Sequence, residues 1–386
     1  MPQPVYLDHA ATTPVRREVF EAMEPFYGPR FGNPSSVHRW GREARAALDE
    51  ARERVARCLG AHADEICFTS GGTEADNLAI LGPLRSQREK GRTSIVTTPI
   101  EHKAVLETVH HAARDGVSER FMMVTRGGVV DLDGSAEIID ETVAVCTVMW
   151  VNNEVGTIQP VPEIARQVKA CGGIMHTDAV QAFGKVEIDL SKLDVDLLTI
   201  SGHKIGAPKG VGAMYIRRGT PIDPLFHGGT QDRGRRPGTE NVAYAVALAR
   251  AAELAIEERE TEVARLESLR ESLEEGLLAR IPDAVIHGRG APRAPHVVNI
   301  SVPGTDSESL LMALDLAGVA ASAGSACQSG SVSPSHVLMA MGVRRELAVA
   351  AVRMSLGSLT TPDCVTRVVE LFPALIAKAR RLSGAA

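Results

Sequence analysis

What most constrains this chain is an alternation. Between residues 66 and 216, short apolar runs rich in β-branched residues take turns with amphipathic stretches at helical spacing. "EICFTS" leads into "GGTEADNLAILG", "SIVTTP" into "HKAVLETVHHAARDG", and "VAVCTVMWVNN" into "VPEIARQVKACG"; "GIMHTDAVQ", "DLLTISGHK" and "GVGAMYIRR" follow as three more buried strands. Strands that are apolar throughout need cover on both faces, and helices between them supply it. The expected class is therefore α/β, with βαβ units and a mostly parallel sheet. Upstream, residues 35–60 read as an amphipathic helix: Ala44, Leu48, Ala51, Val55 and Cys58 recur at spacings of four and three, and Gly60 stops it.

From about residue 240 to 280 the pattern changes to one long helical stretch with a charged face. Beyond it come a strand in "HVVNISVP", a helix near 306–317 and a last helix from 362. This predicts a large domain over 15–255 and a smaller α/β domain built from 1–14 and 256–386.

Composition narrows the function classes. The 386 residues are 44% apolar with a net charge of −6, which argues against a surface that grips nucleic acid throughout. The arginines of "QDRGRRPG" read as a loop, a subunit contact or an anion site, so no direct nucleic-acid binding is expected. The longest apolar run, 142–151, is half of what a spanning helix needs, and no leader pattern opens the chain. Six scattered cysteines with no C-x-x-C pair indicate neither a zinc site nor a disulfide framework, so no metal is expected. A reducing cytoplasm, where a free thiol stays available, is the expected compartment.

Three motifs could carry chemistry. In "FTSGGTEADN", Gly72 and Thr73 open a helix, and that end suits a phosphate; an ordinary turn capped by Thr73 has the same sequence. In "HTDAVQAFG", Asp178 stands at a strand's C-terminal edge, where open sheets bind ligands, though an N-cap or surface carboxylate fits too. In "ISGHKIGAPKG", Lys204 follows a buried strand between Ser201, His203 and glycines; desolvation there favours the neutral amine a Schiff base needs. As a set, phosphate cradle, carboxylate and amine match the needs of pyridoxal 5'-phosphate, whose ring serves as an electron sink. His102, in "IEHKAV", adds an imidazole that could stack on the ring or move protons.

These motifs resemble the cysteine desulfurases of the NifS/IscS type, fold-type I enzymes of the class-V aminotransferase group. The similarity runs from "YLDHAATTP" at 6–14 to "AVRMSLGSLTT" at 351–361 and includes "SGHK", "HxDAxQ" and "GSAC". It implies a seven-stranded, mostly parallel sheet flanked by helices. It also implies that Lys204 holds the cofactor, Asp178 faces the pyridine nitrogen, Gln181 bonds the ring hydroxyl and His102 stacks on the ring. Gly72, Thr73, Ser201 and His203 would hold the phosphate. Thr239 would reach the phosphate of a neighbouring subunit, giving a homodimer with shared sites. Asn153 and Arg353 would hold the carboxylate of L-cysteine.

The resemblance also gives a role to the lone thiol in "SAGSACQSGSVSPS", a Ser/Gly-rich stretch too polar to bury much surface. Cys327 would take sulfur from L-cysteine as a persulfide, release L-alanine, and pass the sulfur to an acceptor protein. Iron–sulfur assembly, thiolation and, by similarity to the DndA type, DNA phosphorothioation are the expected destinations. The chain departs from the family pattern at Thr230 and Ala207, where glycine is common, and at Pro237, where serine is. A selenocysteine lyase and a silent sulfur-carrier scaffold are the alternatives; the first would use the same residues, and intact Lys204, Asp178 and Cys327 argue against the second.

Overall fold

A computed structural model describes residues 4–323 and 333–382. Its strands, in chain order, are β1 (Val5–Tyr6), β2 (Ile66–Thr69), β3 (Ser94–Thr97), β4 (Ser118–Phe121), β5 (Val143–Thr147) and β6 (Ile174–Asp178). They continue with β7 (Leu197–Ser201), β8 (Gly212–Ile216), β9 (Val285–Ile286), β10 (Val297–Ser301), β11 (Val319–Ala320) and β12 (Ala351–Ser355). A seven-stranded sheet has the order β2-β8-β7-β6-β5-β3-β4, and only β8 runs antiparallel to its neighbours. Strands β5 to β8 are buried along their whole length, which is why they read as continuous apolar runs.

Helix Arg39–Leu59 starts at His38, whose side chain accepts from Gly41 N, and stops at Gly60 in the left-handed region at φ 67°. The helical stretch after residue 240 is two helices, Val242–Glu257 and Arg259–Arg280, parted at Glu258. Arg16 clasps Glu258 through both carboxylate oxygens at 2.7 and 2.8 Å. Edge strand β4 is polar and only partly buried, so its sequence carries no strand periodicity.

A second layer holds the antiparallel sheet β12-β10-β9 and the parallel pair β1-β11. Leu266, Leu273 and Leu277 of helix Arg259–Arg280 and Phe372 of helix Pro362–Leu382 pack on Val298, Ile300 and Val352 there. After β1 the chain crosses toward the large sheet: His9 N donates to Ser355 O, while Ala10 and Ala11 reach Lys204 just past β7. The ends of β2, β6 and β7 thus face a segment delivered from the smaller layer.

Candidate active site

The site begins with glycines. Gly71 sits at φ 153° and ψ −175°, a region open in practice to glycine alone. A Cβ on Gly72 would meet Val180 Cγ2 at 3.2 Å, and one on Gly212 would meet Gly71 Cα at 2.9 Å and Ile200 O at 2.7 Å. Side chains at these positions would push the start of helix Gly72–Gln87 away from β7 and β8. Held close, that helix brings Gly72 and Thr73 to the wall of a cavity of about 420 Å³, with Ser201 and His203 beside them. Its first-turn N–H groups, which helix geometry leaves without intrahelical acceptors, suit a phosphate.

Asp178 ends β6 and is 5% exposed, its Oδ1 accepting from Val180 N at 2.8 Å. Burial raises its carboxyl pKa, while the charges of His102 and Lys204 pull the other way. Lys204 Nζ donates to Ala10 O at 2.6 Å and Ala11 O at 2.8 Å. Burial, with the Arg353 charge adding to it, pushes that amine down to about 8. Gln181 donates through Nε2 to Ala10 O at 2.9 Å, which turns its Oε1 to accept from His296 Nε2 at 3.0 Å.

His102 caps helix Lys103–Arg114, its Nδ1 accepting from Ala104 N at 3.1 Å. The neutral ring therefore carries its proton on Nε2, and burial lowers its pKa. His203 is pushed down to about 4 by burial and the neighbouring lysines, and its Nδ1 lies 3.2 Å from Thr12 Oγ1. Arg353, on β12, spans Asn153 O and Asp8 Oδ1, both at 2.9 Å. Its guanidinium is fixed in orientation before any ligand arrives.

Gly72, Thr73, His102, Asn153, Asp178, Gln181, Ser201, His203, Lys204 and Arg353 all line this one cavity. Thr239 does not; it is exposed on an outer loop. Cys327 lies outside the described residues.

The motif reading missed a buried acid shell behind these residues. Glu101 accepts from Thr98 Oγ1 at 2.6 Å and Met149 N at 3.0 Å, and burial raises its carboxyl to about 8. Asp76, 1% exposed, is pushed well up by burial and by Asp178, and its Oδ1 has no hydrogen-bond partner. His176 bonds Thr147 and Thr199 and is pushed down to about 3 by burial. The two-residue spacing of His176 and Asp178 on one strand was the available signal, since it puts both on one face. Ser335 donates to Glu154, and His336 Nε2 reaches Glu101 O at 2.9 Å, so the segment after residue 332 is tied to the cavity floor.

A buried acid at a strand end, a partly desolvated amine and a glycine-cradled helix start, facing one space, fit pyridoxal phosphate by donor chemistry. The model of the aminotransferase class-V family matches residues 5–368. The chain belongs to that family. Among its relatives, the cysteine desulfurase IscS of Dictyoglomus turgidum is 45% identical over 99% of this chain and 97% of its own. The cysteine desulfurase NifS of Azotobacter vinelandii is 45% identical over 98% and 94%. In structure, a NifS-like protein superposes with a TM-score of 0.91 at 39% identity, covering 97% of this chain and all of its own. DndA from Streptomyces lividans superposes at 0.78 with 39% identity over 91% of this chain and 99% of its own. Like its class-V relatives, the chain uses pyridoxal phosphate as its cofactor.

Proposed function

We propose that the protein is a pyridoxal-phosphate-dependent cysteine desulfurase. Overall, L-cysteine and the Cys327 thiol become L-alanine and a Cys327 persulfide: the Cβ–S bond of the substrate breaks, an S–S bond forms, and Cβ gains the proton. One observation carries the reading: Lys204, Asp178 and Arg353 converge on one cavity at the strand ends, in a chain 45% identical to known desulfurases.

The cofactor, when bound, supplies an electron sink for the pair left on carbon when sulfur departs. The chain's own groups do the rest. Asp178 would hold positive charge at the ring nitrogen, and Gly72, Thr73, Ser201 and His203 would take the phosphate. Gln181 would bond the ring hydroxyl, and His102 would stack on the ring. Arg353, preset by Asp8 and Asn153 O, offers its guanidinium edge to the substrate carboxylate, with Asn153 beside it. Lys204 would hold the cofactor, and its free amine, near 8, can take or give a proton near neutral pH. His102, with its proton on Nε2, moves protons between substrate and the Cys327 sulfur.

The same reading includes a homodimer in which Thr239 serves the partner's site. Phe20, Tyr27, Phe31, Val37 and Trp40, all at least half exposed within one short stretch, support a covered face there. It also includes a cytoplasmic location and delivery of sulfur to an acceptor protein in iron–sulfur assembly, thiolation or DNA phosphorothioation. Among the described residues no helix is long and apolar enough to cross a membrane.

The test is alanine released from L-cysteine by the cofactor-loaded protein and by Cys327→Ser. Alanine from the first and almost none from the second is expected. Equal release from both removes Cys327 from the mechanism.

A further inference from the structure

The arginines of "QDRGRRPG" are the motif that the desulfurase reaction leaves without a task. They sit on a strained turn. Asp232 (φ 47°, ψ 38°) and Arg233 (φ 58°, ψ 33°) are both left-handed, and among the described residues no other non-glycine has a positive φ. Such backbone persists only where the surrounding contacts over-determine it. Here they do. Arg52, itself buried, donates from Nη1 to Asp232 Oδ1 at 2.5 Å and to Ile66 O at 2.6 Å. Arg233 and Arg235 both donate to Asp64 O, at 3.1 and 2.7 Å.

The turn so fixed brings its last arginine to one carboxylate. Arg236 Nε donates to Glu74 Oε1 at 3.0 Å, and Glu74 Oε2 accepts from Ser70 N at 2.8 Å. Glu74 stands in the first turn of helix Gly72–Gln87, directly after Gly72 and Thr73. Its side chain is 9% exposed. Burial disfavours its charge, but the bonds from Arg236 and Ser70 outweigh burial and hold its pKa below the usual value, so it is an anion at neutral pH. Neither Glu74 nor Arg236 lines the cofactor cavity, whereas Gly72 and Thr73 do.

A carboxylate in that turn and a phosphate at Gly72 and Thr73 compete for the same positive helix end. They also repel, and the more so where burial lowers the local dielectric. A glutamate at the third helical position, left free, reaches back to the N–H groups at the helix start. We propose that Arg236 is a positioning residue for the phosphate: it neutralises Glu74 and keeps that carboxylate on Ser70 N, which leaves the N–H groups of Gly72 and Thr73 to the cofactor. Arg236 acts through Glu74 and touches no reacting group. The strained turn is the means of holding its guanidinium in place.

The inference rests on the phosphate placement in the proposed function, and the experiment separates the two. Full-length protein freed of cofactor is titrated, by visible absorbance, with pyridoxal phosphate and with pyridoxal, which lacks the phosphate. Wild type should prefer pyridoxal phosphate; without that preference the phosphate placement fails and the inference with it. In Arg236→Met, pyridoxal phosphate should bind at least about tenfold more weakly, while pyridoxal stays within about twofold of wild type. The deciding variant is Glu74→Gln/Arg236→Met. With no anion left to neutralise, its affinity for pyridoxal phosphate should return to within about threefold of wild type. Glu74→Gln alone, in which every arginine is kept, should bind pyridoxal phosphate at least as tightly as wild type. Given a wild type that prefers the phosphate compound, four results would each overturn the inference alone. They are no loss in Arg236→Met, equal losses there for both ligands, a double variant no better than Arg236→Met, and a loss of about tenfold in Glu74→Gln.

Discussion

Lys204 and Lys185 make a natural experiment. Both amines lie on the seam beside the large sheet, and burial pushes both down to about 8. Only Lys204 has a buried carboxyl, a fixed guanidinium and a glycine-cradled helix start around the same space. A depressed amine pKa is therefore a property of burial, and it becomes chemistry only where partner groups are assembled.

The largest effect that sharpens this contrast is Lys204→Ala. Alanine release from L-cysteine should fall by about 10³-fold or more, because the residue acts directly on the reacting centre. Lys185→Met should lower turnover by no more than about tenfold; a loss matching that of Lys204→Ala would break the comparison. Asp178→Asn should come next, lowering kcat by about 10²-fold and changing the visible absorption of the bound cofactor.

Smaller effects follow from titration. The Lys204 amine is neutral only above about 8, so reconstitution of cofactor-free protein with pyridoxal phosphate should speed up about tenfold per pH unit on approaching that value and then level off. Stopped-flow absorbance would show it, and a rate flat from pH 6 to 9 would refute it. Lys185 keeps its proton in the unfolded chain up to about 10.5 but loses it near 8 when folded. The unfolded state thus binds more protons between those values, and this residue's contribution to stability rises with pH across the window, by up to about 3 kcal/mol. Melting curves should show a gap between wild type and Lys185→Met that shifts in favour of the wild type from pH 8 to 10.

A dependence of the opposite sign belongs to Glu101. Its carboxyl, raised from 4.5 to about 8, binds more proton when folded than unfolded between those values. Its contribution therefore falls as pH rises from about 5 to 8. Glu101→Gln should lie within about 1 kcal/mol of the wild type at pH 5 and gain on it by pH 8.

Much of this arrangement is legible in the sequence because it is local. A strand buried on both faces announces itself by composition, and glycines and Lys204 sit within a few residues of the strand ends that position them. The Glu258 break was not legible: the helical pattern runs through it, and Arg16, which clasps Glu258, lies far away in the chain. Strand β4 was missed because an edge strand needs no apolar face. Glu101 and Asp76 stand inside the "IEHKAV" and "FTSGGTEADN" stretches, but their burial exists only once helices and sheet have met. The same holds for His9, His296 and Lys185, which come from three separate parts of the chain.

The N-terminal crossing has a consequence in time. Synthesis runs from the N-terminal side onward, yet Ala10 accepts from an amine 194 residues later, and the His9 ring docks on a carbonyl 346 residues away. At ribosomal speeds of roughly 5–20 residues per second, His9 waits roughly 17–70 seconds for its partner. The pocket is completed by segments made far apart in time, from Ala10 to Arg353. A nascent chain not yet made past Arg353 has no finished pocket to offer the cofactor.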